Sequence, residues 1–262
     1  MTAIASAPAP ARRRIPLAVF LAIGGAWALA VAAELTGTAG ALHHDTLIEG
    51  GSLWVALPLF LLAWQVMVAA MMLPSSLPLV RLFAAASARQ ERPRLAYGVF
   101  LGGYAAVWTA FGALAFAGDA VLHELVHRAH WLHERPWLVA GSVLVLAGAF
   151  QFSALKDRCL TECRHPGPYL LSHYRRGVAA AFRLGSGHGL FCLGCCWALM
   201  LVLVAAGFAN LLWMAGLAAV MVYEKTGRHG PALARAVGVV LLVWGTFVLA
   251  HPAWLPSWAS GV

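Results

Sequence analysis

Charged residues are scarce in this chain of 262 residues. Asp, Glu, Lys and Arg make up 11% of it, against about 25% in soluble domains. Hydrophobic residues make up 61%, and the mean hydropathy is +0.78. Too little polar surface is available to cover a water-facing protein, so the composition excludes an ordinary soluble domain and indicates an integral membrane protein.

Several sequence features are also missing. The chain has no ATP-binding P-loop, so any transport would be passive, exchange-driven or coupled to a partner. Only one Cys-x2-Cys spacing occurs among the five cysteines, which excludes a zinc ribbon built from two such pairs. No internal repeat and no soluble domain are evident. The chemistry of the chain therefore has to come from side chains inside its apolar segments.

Long uncharged segments fill most of the chain. A helix that crosses the bilayer core needs about 20 mostly apolar residues. The sequence predicts an all-α transmembrane helix bundle, residues 17–250, between a cytoplasmic tail, 1–16, and a short external tail, 251–262. About seven helices are expected, at 17–34, 53–73, 95–118, 137–155, 188–207, 208–223 and 234–250. The sixth is short, which fits either a tight hairpin or a partly re-entrant helix.

Basic residues alternate between the loops of this predicted bundle. Sixteen of the 18 Lys and Arg residues fall on one side and two on the other. The positive-inside rule places the N-terminus in the cytoplasm and the C-terminus outside, as expected for a multi-pass protein of an inner, cytoplasmic membrane. The distribution also accounts for the net charge of +8 without a nucleic-acid partner. If residues 1–33 are a cleaved signal peptide, six helices remain with the same orientation.

The fifth predicted helix carries an unusual set of polar and sulfur-containing residues. His188, Cys192 and Cys195 share one helical face, with Cys196 and Met200 beside it. Thiolate, thioether and imidazole ligands together favour Cu(I) or Zn(II) over Mg(II) and Ca(II), and the thioether favours Cu(I). His188 and Cys195 are about 10 Å apart along the axis, so the helix holds either a ladder of small sites or one site completed by another helix. The alternative is that the cysteines pack as small apolar residues.

Two further segments carry candidate ligands. Met67 and Met71, four residues apart in the second predicted helix, and the adjacent Met72 offer thioethers, although methionine is also common core filling. Cys159 and Cys163 are again four apart. If the fourth helix continues to Pro166, they lie on one face below Gln151, which should point into the bundle.

Other polar residues have weaker claims to a function. The segment 123–134 is rich in histidine and includes the pattern His123-Glu124-x-x-His127 of zinc proteases, but no third ligand is evident and an outer loop is expected there. His43 and His44 in the first loop are interpreted in the same way. Glu224 and Lys225 fit an ion pair at the end of the sixth helix, or a carboxylate that closes the inner end of a metal pathway.

Four stretches, Met67–Pro74, Gln151–Pro166, Gly187–Met200 and Trp213–Lys225, resemble a bacterial family described as predicted metal-binding integral membrane proteins, whose domain has no known function. The Cys-Leu-Gly-Cys-Cys-Trp element is the most specific part of the match. The resemblance implies a multi-helix bundle with a metal-binding role. It carries over to these candidate ligands: Met67, Met71, Met72, Cys159, Cys163, His188, Cys192, Cys195 and Cys196. The histidine-rich segment is outside the family pattern.

The leading hypothesis is a protein without enzymatic activity that binds copper(I), or zinc, and transfers it across or within the membrane. The ion would pass between Met67/Met71, the ligands of the fifth helix, and Cys159/Cys163. Its partners would be the lipid bilayer, the metal ion and a periplasmic or membrane metalloprotein. Two alternatives remain open, namely a thiol-redox relay and an assembly factor for a membrane metalloenzyme.

Overall fold

The computed structural model describes residues 17–38, 53–206 and 210–251, and in that part of the chain it contains α-helices and no strand. The predicted all-α fold is confirmed. The helices are α1 Leu17–Leu35, α2 Leu53–Met71, α3 Leu73–Ser87, α4 Pro93–Arg128, α5 His130–His133, α6 Pro136–Phe150, α7 Ala154–Arg164, α8 Pro166–His173, α9 Val178–Ala206, α10 Leu211–Thr226 and α11 Gly230–Ala250. The two predicted tails, except for His251, and the pair His43/His44 lie outside the described residues.

The starts of the helices follow from local sequence signals. Proline occupies the first turn of α3, α4, α6, α8 and α11, where its fixed φ fits and no donor is lost. Side chains cap two of the remaining starts. Ser153 accepts a hydrogen bond from the Lys156 backbone N–H, and Asn210 accepts from Leu212 and Trp213. Both capped helices contribute to the site described below.

Within the described part of the chain, five helices are long and apolar enough to cross a membrane: α1, α2, α4, α9 and α11. A sixth span results if α6 and α7, which are bent by 63° at a short break, count as one. Each of the seven predicted segments contains a helix. α10, the sixth predicted span, has 16 residues, fewer than a perpendicular crossing of the bilayer needs.

Two predicted boundaries are wrong. The fourth helix, predicted at 137–155, ends earlier, and the condition that it continues to Pro166 is not met. α6 ends at Phe150, and α7 starts in a new direction after the Ser153 cap. The stretch 123–128, expected in an outer loop, is the last turn and a half of α4. The polar stretch 156–187, which lies between the fourth and fifth predicted helices, is mostly helical and contributes to α7, α8 and α9.

Glycines bring the two longest helices together. A Cβ at Gly103 of α4 would lie 3.0 Å from the Ser186 backbone nitrogen, and one at Gly189 of α9 would lie 3.1 Å from Val107 Cβ. The backbones of α4 and α9 therefore approach closely, with the two chains running in the same direction. α6 and α11 also approach closely, with Gly148 and Gly245 at the contact, but these two helices run in opposite directions, because Gly141 meets Leu249 whereas Gly148 meets Leu242. Most of the other helices surround these two pairs.

The buried side chains form one large cluster and one smaller cluster. The large cluster contains all five cysteines and every described methionine. Large apolar side chains are also exposed on the outer faces of the helices, from Leu17 in α1 to Phe247 in α11, and no described methionine is among them. Sulfur is therefore confined to the interior of the bundle.

Candidate metal centre

Five cysteines from two helices are buried in the interior, and we name Cys159, Cys163, Cys192, Cys195 and Cys196 the cysteine cluster. All five are free thiols and buried. Cys195 Sγ lies 3.5 Å from Cys196 Sγ and 3.9 Å from Cys163 Sγ. Metal–thiolate bonds of about 2.3 Å, as in zinc sites, allow one ion to bridge sulfurs up to about 4.6 Å apart. Both pairs are within that limit.

The bend between α6 and α7 brings the second pair of cysteines to the first three. After the 63° change of direction, α7 packs on α9. Its buried face carries Cys159 and Cys163, whereas Leu155 is 55% exposed. Gly194 provides the space, because a Cβ there would lie 2.5 Å from Cys159 Sγ. A straight continuation of α6 would not have produced this contact.

Polar groups from four helices surround the other side of Cys192, and we name Ser75, Ser76, Tyr104, His188 and Lys225 the polar cluster. Lys225 Nζ donates hydrogen bonds to Cys192 Sγ at 3.0 Å and to Ser75 Oγ at 3.1 Å. Tyr104 Oη lies 3.1 Å from Cys192 Sγ, and Ser76 Oγ lies 3.2 Å from His188 Nε2. All five side chains are buried. Cys192 therefore connects the other cysteines to a buried ammonium group.

A separate ion pair lies beside this centre. Lys156 Nζ donates to Glu224 Oε2 at 2.7 Å, with both side chains at most 1% exposed. Arg164 donates to the backbone carbonyls of Glu224 and Gly227, at 2.6 and 2.9 Å. These bonds attach α7 to the end of α10. Glu224 thus pairs with a lysine 68 residues away rather than with its neighbour Lys225, contrary to the predicted ion pair at a helix end.

The other predicted residues occupy two kinds of environment. Met67, Met71 and Met72 are buried in the same cluster as the cysteines. His188 lies between the rings of Tyr104 and Tyr169, with centroids 5.7 and 6.1 Å away. Gln151 points inward, as predicted, and is 1% exposed. The histidine-rich segment lies on the surface, where His130 and Glu134 form a pair with side chains 86% and 61% exposed.

Among the described residues, no group of three or more His, Cys, Asp or Glu side chains is arranged to hold a metal ion as it stands. The cysteine cluster offers pairs of thiols instead. Two-coordinate sites suit a soft monovalent ion better than Zn(II), whose structural sites have four ligands in almost every case.

Residues 61–248 match the family model described as PpoB2, copper chaperone. The chain belongs to this copper chaperone family. The match contains the whole cysteine cluster and the whole polar cluster. Comparisons with curated proteins and with solved structures gave no match. Membership of the PpoB2 family makes copper the relevant metal.

The sequence patterns did not identify every residue of this centre. Lys225 was interpreted only through its neighbour Glu224, and neither Tyr104 nor the two serines of α3 were considered as part of a site. One signal was available. A glutamate and a lysine directly after a long uncharged segment, with serines in the first turn of a helix that begins inside the bundle, indicate a buried polar site. Which of these groups meet could be known only from the packing.

Proposed function

We propose that this protein is a membrane-embedded copper chaperone that holds Cu(I) at the cysteine cluster and passes it to a metalloprotein partner. The observation that carries the proposal is the contact of buried thiols from α7 and α9, Cys163 with Cys195, next to Cys192 and its hydrogen bond from Lys225. Membership of the copper chaperone family supports the choice of metal.

Three features support a location in the cytoplasmic membrane of a bacterium. Five or six helices have the length and apolar character of membrane spans. Their outward faces carry exposed leucine, valine and phenylalanine side chains, for which lipid is a suitable solvent. The basic residues fall almost entirely on one side of the predicted topology, which we take as cytoplasmic.

The charge of the centre favours a monovalent ion. Cu(I) bound by two thiolates carries a net charge of −1, and the ammonium group of Lys225 beside Cys192 offsets that charge. Zn(II) with the same two thiolates is neutral and would leave the lysine unbalanced. Since an uncompensated charge is costly in an apolar interior, the pair of thiolates with Lys225 selects Cu(I).

The cysteine cluster also provides a path for the ion between two helices. Cys195 of α9 lies next to Cys163 of α7, so one ion can exchange thiolate ligands while it stays bound to sulfur. α7 follows a bend and is short, and it is the element of the centre best placed to present copper to a partner. We propose that the partner is a membrane metalloprotein that receives the ion at the cytoplasmic end of the bundle and supplies competing sulfur or histidine ligands.

The direct test compares copper binding by the purified protein and by the variant C192S/C195S/C196S. We expect the unchanged protein to retain about one Cu(I) per chain, or more, against a Cu(I) chelator, and the variant to lose it. A198S is the matched control, because it adds a hydroxyl at a buried position of the same helix. Retention of tight copper by the triple variant would reject the site.

A thiol-redox relay is the second candidate, favoured by the 3.9 Å separation of Cys163 and Cys195. Oxidation would join these sulfurs in a disulfide and release two electrons and two protons to a disulfide-bearing partner. Thiol alkylation of the protein in oxidised and reduced cells distinguishes the two functions. A change in the number of alkylated cysteines, together with no bound copper, would favour the relay.

A further inference from the structure

Every described methionine is buried, and no methionine belongs to the cysteine cluster or to the polar cluster. Exposures range from 0% at Met71, Met72, Met200 and Met221 to 6% at Met67. Leucine, valine and phenylalanine, by contrast, occupy both the interior and the outer faces. Ordinary core filling would not confine one residue type in this way.

Three helices carry these methionines in rows that start from the same point. The hydrogen bonds of Lys225 Nζ join α10 to Ser75 of α3 and to Cys192 of α9. Starting from each of these three residues, one face of the helix carries further sulfur-containing side chains at spacings of four or seven residues. We name the three sets the sulfur rows: Lys225–Met221–Met214, Ser75–Met71–Met67 and Cys192–Cys196–Met200.

The row that begins at Ser75 crosses the junction between α2 and α3 without losing its register. The Met72 backbone N–H donates to Val68 and the Ser76 N–H donates to Met72, at 2.8 and 3.2 Å. The i to i+4 hydrogen bonding of a helix therefore continues through the junction. Met67, Met71 and Ser75 consequently stay on one face.

The three sulfur rows extend in the same direction from the residues that Lys225 contacts. α10 follows α9 after four residues and returns to contact Cys192, so these two helices are antiparallel. α2 and α3 run opposite to α4, because Phe60 meets Phe116 with ring centroids 5.0 Å apart while Ser76 meets Tyr104. α4 runs parallel to α9, as Gly189 against Val107 indicates. α10 packs on both α2 and α9.

The far ends of the rows reach a common level. Met200 is eight residues from Cys192, and Met67 is eight residues from Ser75, so each lies about 12 Å along its helix from the Lys225 contacts. Met214 is 11 residues, about 16 Å, from Lys225. The lysine side chain leans toward the start of α10, which brings its Nζ several Å closer to Met214.

We infer that Met67, Met200 and Met214 form a second Cu(I) site, made of thioethers alone, in the half of the bundle opposite to the cytoplasmic end. Met71, Met221 and Cys196 lie between this thioether site and the cysteine cluster. This inference rests on the proposed function, since it assigns a further site on the same copper path. It differs from that function in requiring copper binding without any cysteine.

The charge of the ligands determines the direction in which Cu(I) moves between the thioether site and the cysteine cluster. Thioethers are neutral, so Cu(I) at the thioether site keeps its full positive charge in an apolar interior, which makes binding weak. At the cysteine cluster, thiolates neutralise the ion. Cu(I) is therefore more stable at the cysteine cluster, and it passes from the thioether site to the cysteines.

The test uses the full chain in detergent with all five cysteines replaced by serine, C159S/C163S/C192S/C195S/C196S. Titration with Cu(I), in competition with a chromophoric chelator, should show one remaining site, and X-ray absorption should show sulfur ligands. Adding M67L/M200L/M214L should abolish this site. Adding L199I/L203I/L217I, buried changes on the same two helices as Met200 and Met214, should preserve it.

A second variant keeps the inference testable if the five-serine protein does not fold. In the otherwise unchanged chain, M67L/M200L/M214L should bind one Cu(I) fewer and should load its cysteines about tenfold more slowly than L199I/L203I/L217I does. Copper stoichiometry and loading rate equal to those of the control would overturn the thioether site. Absence of copper from the unchanged chain would instead overturn the proposed function.

Discussion

Two regions of this molecule carry dense sets of metal-binding residue types, and they differ in almost every physical respect. The segment 123–134 contains four histidines within a dozen residues, on the last turns of α4 and on α5, with exposed ion pairs between neighbouring turns. The cysteine cluster draws on two segments about 30 residues apart and is buried in the bundle. The comparison shows that a local run of ligand types is weaker evidence for a site than convergence of distant ones.

The largest expected effect tests this comparison directly. Alanine at His123, His127, His130 and His133 together should leave tightly bound copper unchanged, whereas C192S/C195S/C196S should lose all of it. The reason is that His130 lies in an exposed pair with Glu134 at the surface, whereas the thiols are buried in the bundle. Elemental analysis after dialysis against a Cu(I) chelator measures both. Loss of copper from the histidine variant would reverse the comparison.

Ion pairs in the two regions should also differ. Removing one partner of the buried pair, in K156M or E224Q, should lower the free energy of unfolding by about 3–5 kcal/mol, because it leaves a buried group unpaired. R128M breaks the exposed pair with Glu124 and should cost at most about 1 kcal/mol.

Thermal unfolding in detergent measures these differences. The double variant K156M/E224M serves as the control, because it removes both charges and should recover most of the lost stability. A similar small effect for the buried and the exposed pair would show that the ion pair of α7 and α10 is hydrated.

The role of Lys225 gives a smaller effect, on binding rather than on stability. A charge-assisted hydrogen bond of about 1.5–3 kcal/mol to the Cys192 sulfur corresponds to a loss of about ten- to a hundredfold in Cu(I) affinity for K225M. K225R should retain most of the affinity, since it keeps the charge. Competition with a chelator measures the affinity. Equal affinities for K225M and the unchanged chain would remove the charge argument for Cu(I).

The smallest effects concern space inside the bundle. G194A places a methyl group against Cys159 Sγ and should cost about 1–3 kcal/mol by overpacking. G216A is the matched control, because a Cβ at Gly216 meets nothing within 4 Å. It should be neutral, or stabilise α10 by up to about 1 kcal/mol. Unfolding midpoints that rank the two variants in the opposite order would contradict the packing of α7 on α9.

Much of the fold could be predicted from the sequence. Uncharged segments of the right length located a helix at each of the seven predicted positions, and Pro93 and Pro136 mark helix starts close to those predicted. The bend at 151–153 was missed, because the hydrophobic pattern runs through it and only the Ser153 cap signals a new helix. The extension of α4 to Arg128 was missed, because its last turns are polar.

The candidate ligands were identified by residue type, but their partners were not. Cys192, Cys195 and Cys196 are neighbours in sequence, so their common location was predictable. The contact of Cys195 with Cys163, and that of Lys225 with Cys192, join segments more than 30 residues apart. Neither periodicity nor spacing contains that information.

The sequence by itself determined that the protein is an apolar helical bundle with sulfur in its interior, because composition and the period of the helix are local properties. Only the tertiary structure decided that thiols from two helices come together beside an ammonium group and that three methionine-bearing faces extend from there in the same direction. Those arrangements depend on how a bend, a few glycines and a buried lysine allow helices to approach, and such packing is decided between segments rather than within them.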